Sequence, residues 1–389
     1  MNRYLLAGAA AAALALGAGA ANAQAKFEVK VGGDAYFEGG WVDQDRDEGL
    51  RSTEFRNRMR INIIPSAKAD NGLEYGARMR LRASDGSRNT DADRAYIFAQ
   101  GTFGQVRMGV TNSFNDETYV TAPQDYLPLA IYDGITAWIG GNATGGAANV
   151  GVAGADINGG LATLNRGSIL TQSMTVENNA TKVVYFSPRF AGLQLGASYT
   201  PRNDSSNTSV DRVKPAGSSA FIFTDLVEVG ANYNNTFGGI TVKASAGYFW
   251  GKAGEDAPGT NYKDLGAWQA GAQVGYAGFS LGGSYLDYGK SGQNRAPGVD
   301  TQDARVWVVG GQYTTGPIVV GVNYKVGKDA GSAVVAGDRK LKVIEAGAGY
   351  TVAPGLTLQA QYDHFKAESD VVGRDDEGDV VLVRSVLAF

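Results

Sequence analysis

Apolar and polar side chains alternate at a period of two along most of the chain. The stretch EFRNRMRINII (Glu54–Ile64) puts Arg56, Arg58, Arg60 and Asn62 on one parity and Met59, Ile61 and Ile63 on the other. A helix would scatter such a series around its circumference, whereas a strand sends successive side chains to opposite faces. In Leu73–Ala83 the apolar set is Leu73, Tyr75, Met79 and Leu81, with Glu74, Arg78, Arg80 and Arg82 between them. Leu193–Tyr199, Val227–Tyr233, Ile318–Lys325 and Leu356–Asp363 repeat the pattern. Around Ala95–Ala99 and Lys182–Phe186 the alternation is ambiguous.

Turn residues divide these segments into hairpins. Short connections fall at Ala69–Gly72, Gly101–Gly104, Arg189–Gly192, Thr236–Gly239, Ala277–Gly278, Thr315–Pro317 and Ala353–Gly355. Longer polar ones fall near residues 43–51, 84–91, 112–180, 201–222, 251–263, 289–302, 328–338 and 367–378. About seven short and eight long connections, in alternation, predict an all-β transmembrane antiparallel barrel of about sixteen strands, with tight turns and both termini on the periplasmic side. A soluble sandwich would also alternate. Against it, the polar parity is rich in Gly, Ser, Asn and Gln rather than charge, and aromatics such as Trp41, Tyr199, Tyr248, Tyr276, Phe279, Tyr313, Tyr350 and Tyr362 close many strand ends, as interfacial girdles do. The chain also ends on a strand-like segment, VVLVRSVLAF.

The N-terminus stands apart. Arg3 precedes an Ala/Leu/Gly-rich run, and Ala21-Asn22-Ala23 matches a small-x-small cleavage pattern, so residues 1–23 are expected to be a cleaved signal peptide. Residues 24–389 then form a single barrel domain. No later apolar run is long enough for a spanning helix. Among 389 residues there are 55 glycines, 10 prolines and no cysteine, so disulfides, thiolate metal sites and cysteine nucleophiles are excluded. A net charge of −4 argues against nucleic acid as a partner.

The stretches NGLEYGARMRLR (Asn71–Arg82), GTFGQVRMG (Gly101–Gly109) and VVYFSPRFAGLQLGASYTP (Val183–Pro201), together with terminal Phe389, resemble the Gram-negative general porins, particularly their α-proteobacterial type. The resemblance spans the mature chain. It implies a sixteen-stranded barrel in the outer membrane, usually a homotrimer, that passes small hydrophilic solutes and ions by diffusion amid lipid and lipopolysaccharide. It also implies that the assembly machinery recognises the last strand through Phe389, and that the long third loop folds into the barrel and narrows the pore. Where many relatives place a basic residue beside the glycine closing the GxVxxG stretch, this chain has Val110, and Arg107 on the other parity is the candidate replacement.

In a barrel the parities acquire meaning. Met59, Ile61 and Ile63 face lipid and Arg56, Arg58 and Arg60 the lumen, because an arginine on the lipid face costs about 2–4 kcal/mol at the midplane. Arg78, Arg80 and Arg82 on the neighbouring strand, with Arg107, extend this basic wall, and the six hairpin arginines are expected to form one ladder. Like charges so close need counter-charges. The expected source is the connection over 112–180, too long for an ordinary loop. Its Asp116, Glu117, Asp125 and Asp133 would face the arginines and set a transverse field across a constriction.

Other motifs lead less far. Asp43, Asp45 and Asp47 carry the spacing of a calcium loop, but Glu48 stands where the turn needs Gly and the flanks are strands, so an acidic loop tip is the better reading, with divalent-ion binding as the alternative. Catalysis is not expected: the one histidine, His364, shares the outward parity of Tyr362, and no phosphate loop or metal cluster is present. No cofactor is expected. The alternatives to open diffusion are a substrate-selective channel and a structural or adhesive barrel with a closed lumen.

Overall fold

In the computed structural model, sixteen antiparallel strands pair in sequence order and the last closes on the first. They are β1 (Glu28–Gln44), β2 (Thr53–Lys68), β3 (Glu74–Ala83), β4 (Thr90–Gly101), β5 (Gly104–Val110), β6 (Thr181–Phe186), β7 (Leu193–Arg202), β8 (Phe223–Phe237), β9 (Ile240–Ala253), β10 (Leu265–Tyr276), β11 (Phe279–Gly289), β12 (Ala304–Thr315), β13 (Ile318–Asp329), β14 (Arg339–Ala353), β15 (Leu356–Ser369) and β16 (Asp376–Ala388). A helical turn, α1 (Phe114–Thr118), follows β5. The structure describes residues 26–47, 49–83, 90–127, 135, 138–139, 170, 172–176, 179–212, 222–253, 262–293, 295, 303–329, 338–370 and 375–389. The proposed signal peptide and Asp133 lie outside them.

The two ambiguous segments are strands β4 and β6. Closure is completed by the terminal residue: Gly33 N donates to Phe389 O at 2.7 Å, and Phe389 N to Gly33 O at 3.0 Å. A closed ring leaves no unpaired edge, which a sheet needs in hydrocarbon. The outward parity is apolar and exposed, as at Phe55, Met59, Ile97, Leu195, Val309, Val322 and Val383. Aromatics lie toward both rims of this face, with Phe279 stacked on Tyr313 (4.4 Å between centroids) at the short-turn end and Trp307 edge-on to Tyr324 (5.3 Å) at the other. No helix among the described residues is long and apolar enough to cross a membrane; the strands do so.

Two corrections to the sequence reading follow from register. Asp43 is a residue of β1, paired with Asp379, rather than part of a loop. The six arginines also do not form one continuous ladder. β3 pairs with β2 only as far as Arg60, which faces Arg82, and Arg80 faces Asn62. Arg56 and Arg58 stand beyond the end of that pairing and take their neighbours from β1, opposite Glu38 and Tyr36.

Candidate functional site

The inner face has two chemically different halves. On β1–β5 and β16 it is charged. Arg56 and Arg384 both donate to Glu38, which is fully buried. Arg60 holds Asp34 through Nε at 2.9 Å, with Arg58 3.5 Å from the same carboxylate. Arg78 donates twice to Asn62 Oδ1, at 3.0 and 2.7 Å. Arg80 makes a bidentate pair with Asp93 (2.7 and 2.6 Å) and Arg82 one with Asp91 (2.8 and 3.1 Å). A bulge opposite Arg80 and Leu81 inserts the extra β4 residue that brings Asp93 onto this face beside Arg94. The guanidinium groups also lie over aromatic rings. Those of Arg56, Arg58 and Arg384 are 5.8, 5.0 and 5.6 Å from the Tyr36 ring, and that of Arg107 is 4.5 Å from Phe186 and 5.5 Å from Tyr96. Such stacking holds several cations against the wall in fixed positions.

On β7–β15 the inner face is mostly Gly, Ser, Asn and Gln, with the buried Glu228, Lys325, Glu345 and Asp363 set among them, and the third loop lies on it. Phe114 sits against Gly196, Asn115 against Gly230 and Gly247, the Val120 carbonyl against Gly271, and Tyr126 against Gly321; a Cβ at any of these glycines would overlap the loop. Gly196, Gly230 and Gly247 are direct cross-strand partners, so they form one bare row across three strands. The loop backbone finds its partners in side chains of the wall. Asn115 N donates to Glu228 (2.7 Å) and Val120 N to Ser245 Oγ (2.7 Å). Asn232, Gln273, Asn323 and Gln359 donate to the carbonyls of Thr118 (2.8 Å), Thr121 (2.7 Å), Pro123 (3.3 Å) and Tyr126 (3.1 Å). Backbone laid inside a barrel must be satisfied in some such way. Further on, Ile135, Ile139 and Leu170 pack with Leu341, Val343 and Phe365, and Trp138 Nε1 donates to Glu38 at 2.9 Å, bringing the loop to β1.

The loop acids therefore separate. Glu117 reaches Arg107 at 3.5 Å. Asp116, in the first turn of α1, is buried and accepts from Ser173 Oγ at 2.9 Å. Asp125 lies across the barrel on β12, where its backbone N donates to Gln312 at 2.9 Å and its carboxylate accepts from the same side chain at 2.5 Å. The carboxylates bound to the hairpin arginines come instead from the wall: Asp34, Glu38, Asp91 and Asp93. The sequence reading missed these: Asp34 and Glu38 share the lumen parity of β1, whereas Asp93 reaches the lumen through the β4 bulge, off the parity of Arg94 and Tyr96. Tyr119 and Tyr126, in the loop, have their hydroxyl pKa raised by burial first, then by Asp116 for Tyr119 and by Glu345 and Asp363 for Tyr126. Asp43, Asp45 and Asp47 do not converge: no group of three His, Cys, Asp or Glu that could hold a metal occurs among the described residues. His364 faces outward on β15, its Nδ1 3.0 Å from Asp379.

A model of the family described as Gram-negative porin matches residues 9–370. A porin of Fuscovulum blasticum is 27% identical over 305 residues, covering 74% of this chain and 95% of that one. An uncharacterized protein of Rickettsia conorii is 22% identical over 422 residues, covering 93% of each. Among solved structures, a variant of the Rh. blastica porin aligns with a TM-score of 0.56 at 19% identity, covering 93% of this chain and 100% of that one. OmpT of Vibrio cholerae lacking its loop L8, an outer membrane protein, aligns with a TM-score of 0.57 at 13% identity, covering 93% and 99%. At these identities the structural likeness speaks for the fold.

Proposed function

The chain belongs to the Gram-negative porin family and forms an outer-membrane channel, and from that premise we propose a homotrimeric diffusion porin whose constriction lies between the arginine wall of β1–β5 and the third loop. The family is not one of enzymes. The observation that carries the reading is the division of the inner face: the loop is seated on the half rich in glycine and amide side chains, and the arginine-rich half keeps its guanidinium groups fixed over Tyr36, Tyr96 and Phe186. Small hydrophilic solutes and ions would pass along that charged half, with passage set by width and by the local field. Arg56, Arg58, Arg60, Arg78, Arg80, Arg82 and Arg107 are the basic side of the constriction, and Glu117 and Asp125 are the loop acids that border it. The density of arginine supports a preference for anions, moderated by Asp34, Glu38, Asp91 and Asp93.

Residues 1–23 direct export and are removed, supported by the Ala21-Asn22-Ala23 pattern. Both termini are periplasmic, supported by their lying at the end with the short turns. Phe389 serves assembly, supported by its place at the closing seam with its ring exposed. The test is single-channel conductance of the refolded protein in a planar bilayer under a salt gradient. Large ohmic steps closing in threes, with an anion-sided reversal potential, are expected. A folded barrel without conductance overturns the diffusion reading.

A further inference from the structure

Beside the third loop, toward the short turns, the inner face of β9–β12 holds a recess of about 360 Å³. Register builds its floor. Thr241, Gly275, Ser280 and Gln312 are successive cross-strand partners on four strands. Gly275 keeps the floor open, because a Cβ there would crowd Ser280 Oγ at 3.1 Å. The loop borders the recess on the side away from the turns. There Gln273 Nε2 donates to Thr121 O at 2.7 Å. Gln312 holds Asp125 with both of its amide atoms, accepting from the backbone N at 2.9 Å and donating to the carboxylate Oδ2 at 2.5 Å.

Two opposite charges line this recess, Lys243 from β9 and Asp125 at β12, and both are exposed to the lumen. Lys243 has Asn234 and Gln273 as its cross-strand partners, neither of them an acid. Among the described residues, no hydrogen bond or ion pair holds its ammonium, and none holds Asp125 Oδ1. The groups between them are neutral donors and acceptors: Thr241, Gln273 and Ser280. A cation at one side, an anion at the other and hydrogen-bonding groups between them complement a solute with the reverse order of charges.

Spacing sets its length. Lys243 and Gln312 stand on strands three spacings apart, roughly 14 Å at about 4.8 Å each. A single amino acid separates its charges by about one residue length, roughly 3.5 Å, and a dipeptide by roughly 7 Å. With a charge-assisted hydrogen bond of about 2.8 Å at each end, the dipeptide covers roughly 13 Å. We propose that the recess is a binding subsite for short zwitterionic peptides, the terminal carboxylate on Lys243, the terminal ammonium on Asp125, and the peptide bond against Gln273, Thr241 and Ser280. This rests on the channel reading, which brings solutes past the recess.

The test is saturation-transfer NMR on the refolded full barrel in detergent, with alanyl-alanine as the probe. A dissociation constant on the order of 1 mM is expected. K243Q and D125N should each weaken it about tenfold, and K243R should restore it. Blocking the peptide's carboxylate as the amide should also cost about tenfold in the wild type and nothing further in K243Q. Blocking its ammonium by acetylation should behave the same way with D125N. Equal binding of free and blocked peptides overturns the site, as does a loss in K243Q of the same size for the free and the amidated peptide. A loss confined to the carboxylate and Lys243 overturns the zwitterion in favour of a simple anion. The measurement needs no ion flow, so the two readings fail separately. Binding without conductance counts against the channel, and conductance without binding counts against the subsite.

Discussion

Replacing Arg56, Arg58 and Arg60 together with serine tests the charged half directly. Their side chains are 26%, 13% and 19% exposed and converge on Glu38 and Asp34, so they are held in place rather than free in solution. A unit charge about 7 Å from the ion path interacts with a monovalent ion by roughly 0.6 kcal/mol at the dielectric constant of water. Screening over about 10 Å at 0.1 M salt leaves roughly 0.3 kcal/mol. Removing three charges changes anion and cation energies by about 0.9 kcal/mol each, in opposite directions, so the permeability ratio moves toward cations about twentyfold. At 1 M salt, with a Debye length of about 3 Å, the shift should shrink to about twofold. The assay is the reversal potential in a potassium chloride gradient at both ionic strengths. Glu38 keeps Arg384 and Trp138 as donors, and retained heat-modifiability on gels checks that the barrel has formed. An unmoved reversal potential at 0.1 M, with normal conductance, removes these residues from the ion path. A shift of equal size at both salt concentrations would mean a change of pore shape, not of charge.

Gly230→Val should drive Asn115 off β8, lose the bonds to Glu228 and the Val229 carbonyl at about 1 kcal/mol each, and give noisier, altered single-channel currents, while Gly266→Ala, where a methyl meets only Tyr248 Oη at an ordinary contact distance of 3.7 Å, should be silent. Glu38→Gln leaves the buried Arg384 and the partly exposed Arg56 without their carboxylate and should cost about 3–5 kcal/mol, read as a lower unfolding temperature of the folded band; an unchanged temperature would show that the pair is not structural. In the loop after β7, the Arg202 guanidinium holds the Asp204 carboxyl below its ordinary value of 3.8. A depressed carboxylate contributes stability above the unfolded value and loses it as pH falls through the folded one, so hydrogen exchange of residues 203–212 should accelerate only under more acid conditions than ordinary aspartate protonation requires.

The barrel was legible because its signal is local. A period of two and the spacing of turn residues can be read within each hairpin, so strand number and the lumen parity of Arg56, Arg58 and Arg60 followed from the chain alone. The counter-charges were partly legible. Asp34, Tyr36 and Glu38 alternate on β1 beside an arginine strand, whereas on β4 a bulge puts Asp93 on the same face as Arg94, which alternation does not predict. The length of the third loop and its run of acids pointed elsewhere, to the loop as the source of negative charge. Two features are not local. Arg384 meets Glu38 only because the ring closes, 346 residues apart. Asp116 is turned inward because Ser113 caps α1, its side chain accepting from Asp116 N at 3.3 Å, and so fixes which way the first acid of the loop points.

The composition of the polar parity bears on more than the choice between a membrane barrel and a sandwich. In the folded chain its Gly, Asn, Gln and Ser divide the work of seating the loop. Bare glycines give it room at Gly196, Gly230 and Gly247, and Asn232, Gln273, Asn323 and Gln359 satisfy its carbonyls. Burying charge under a segment of backbone is costly unless every charge is paired, whereas a neutral amide needs only one partner. Charged lumen positions therefore concentrate where water and solutes stay, on β1–β5, and neutral ones predominate where chain replaces water, on β7–β15. The buried charges on the loop side have partners: Lys325 and Glu345 pair at 2.7 Å, Glu228 accepts from Asn115 N, and Asp363 accepts from Gln361 Nε2. The inner parity of a barrel strand thus tells which part of the wall is covered and which remains channel.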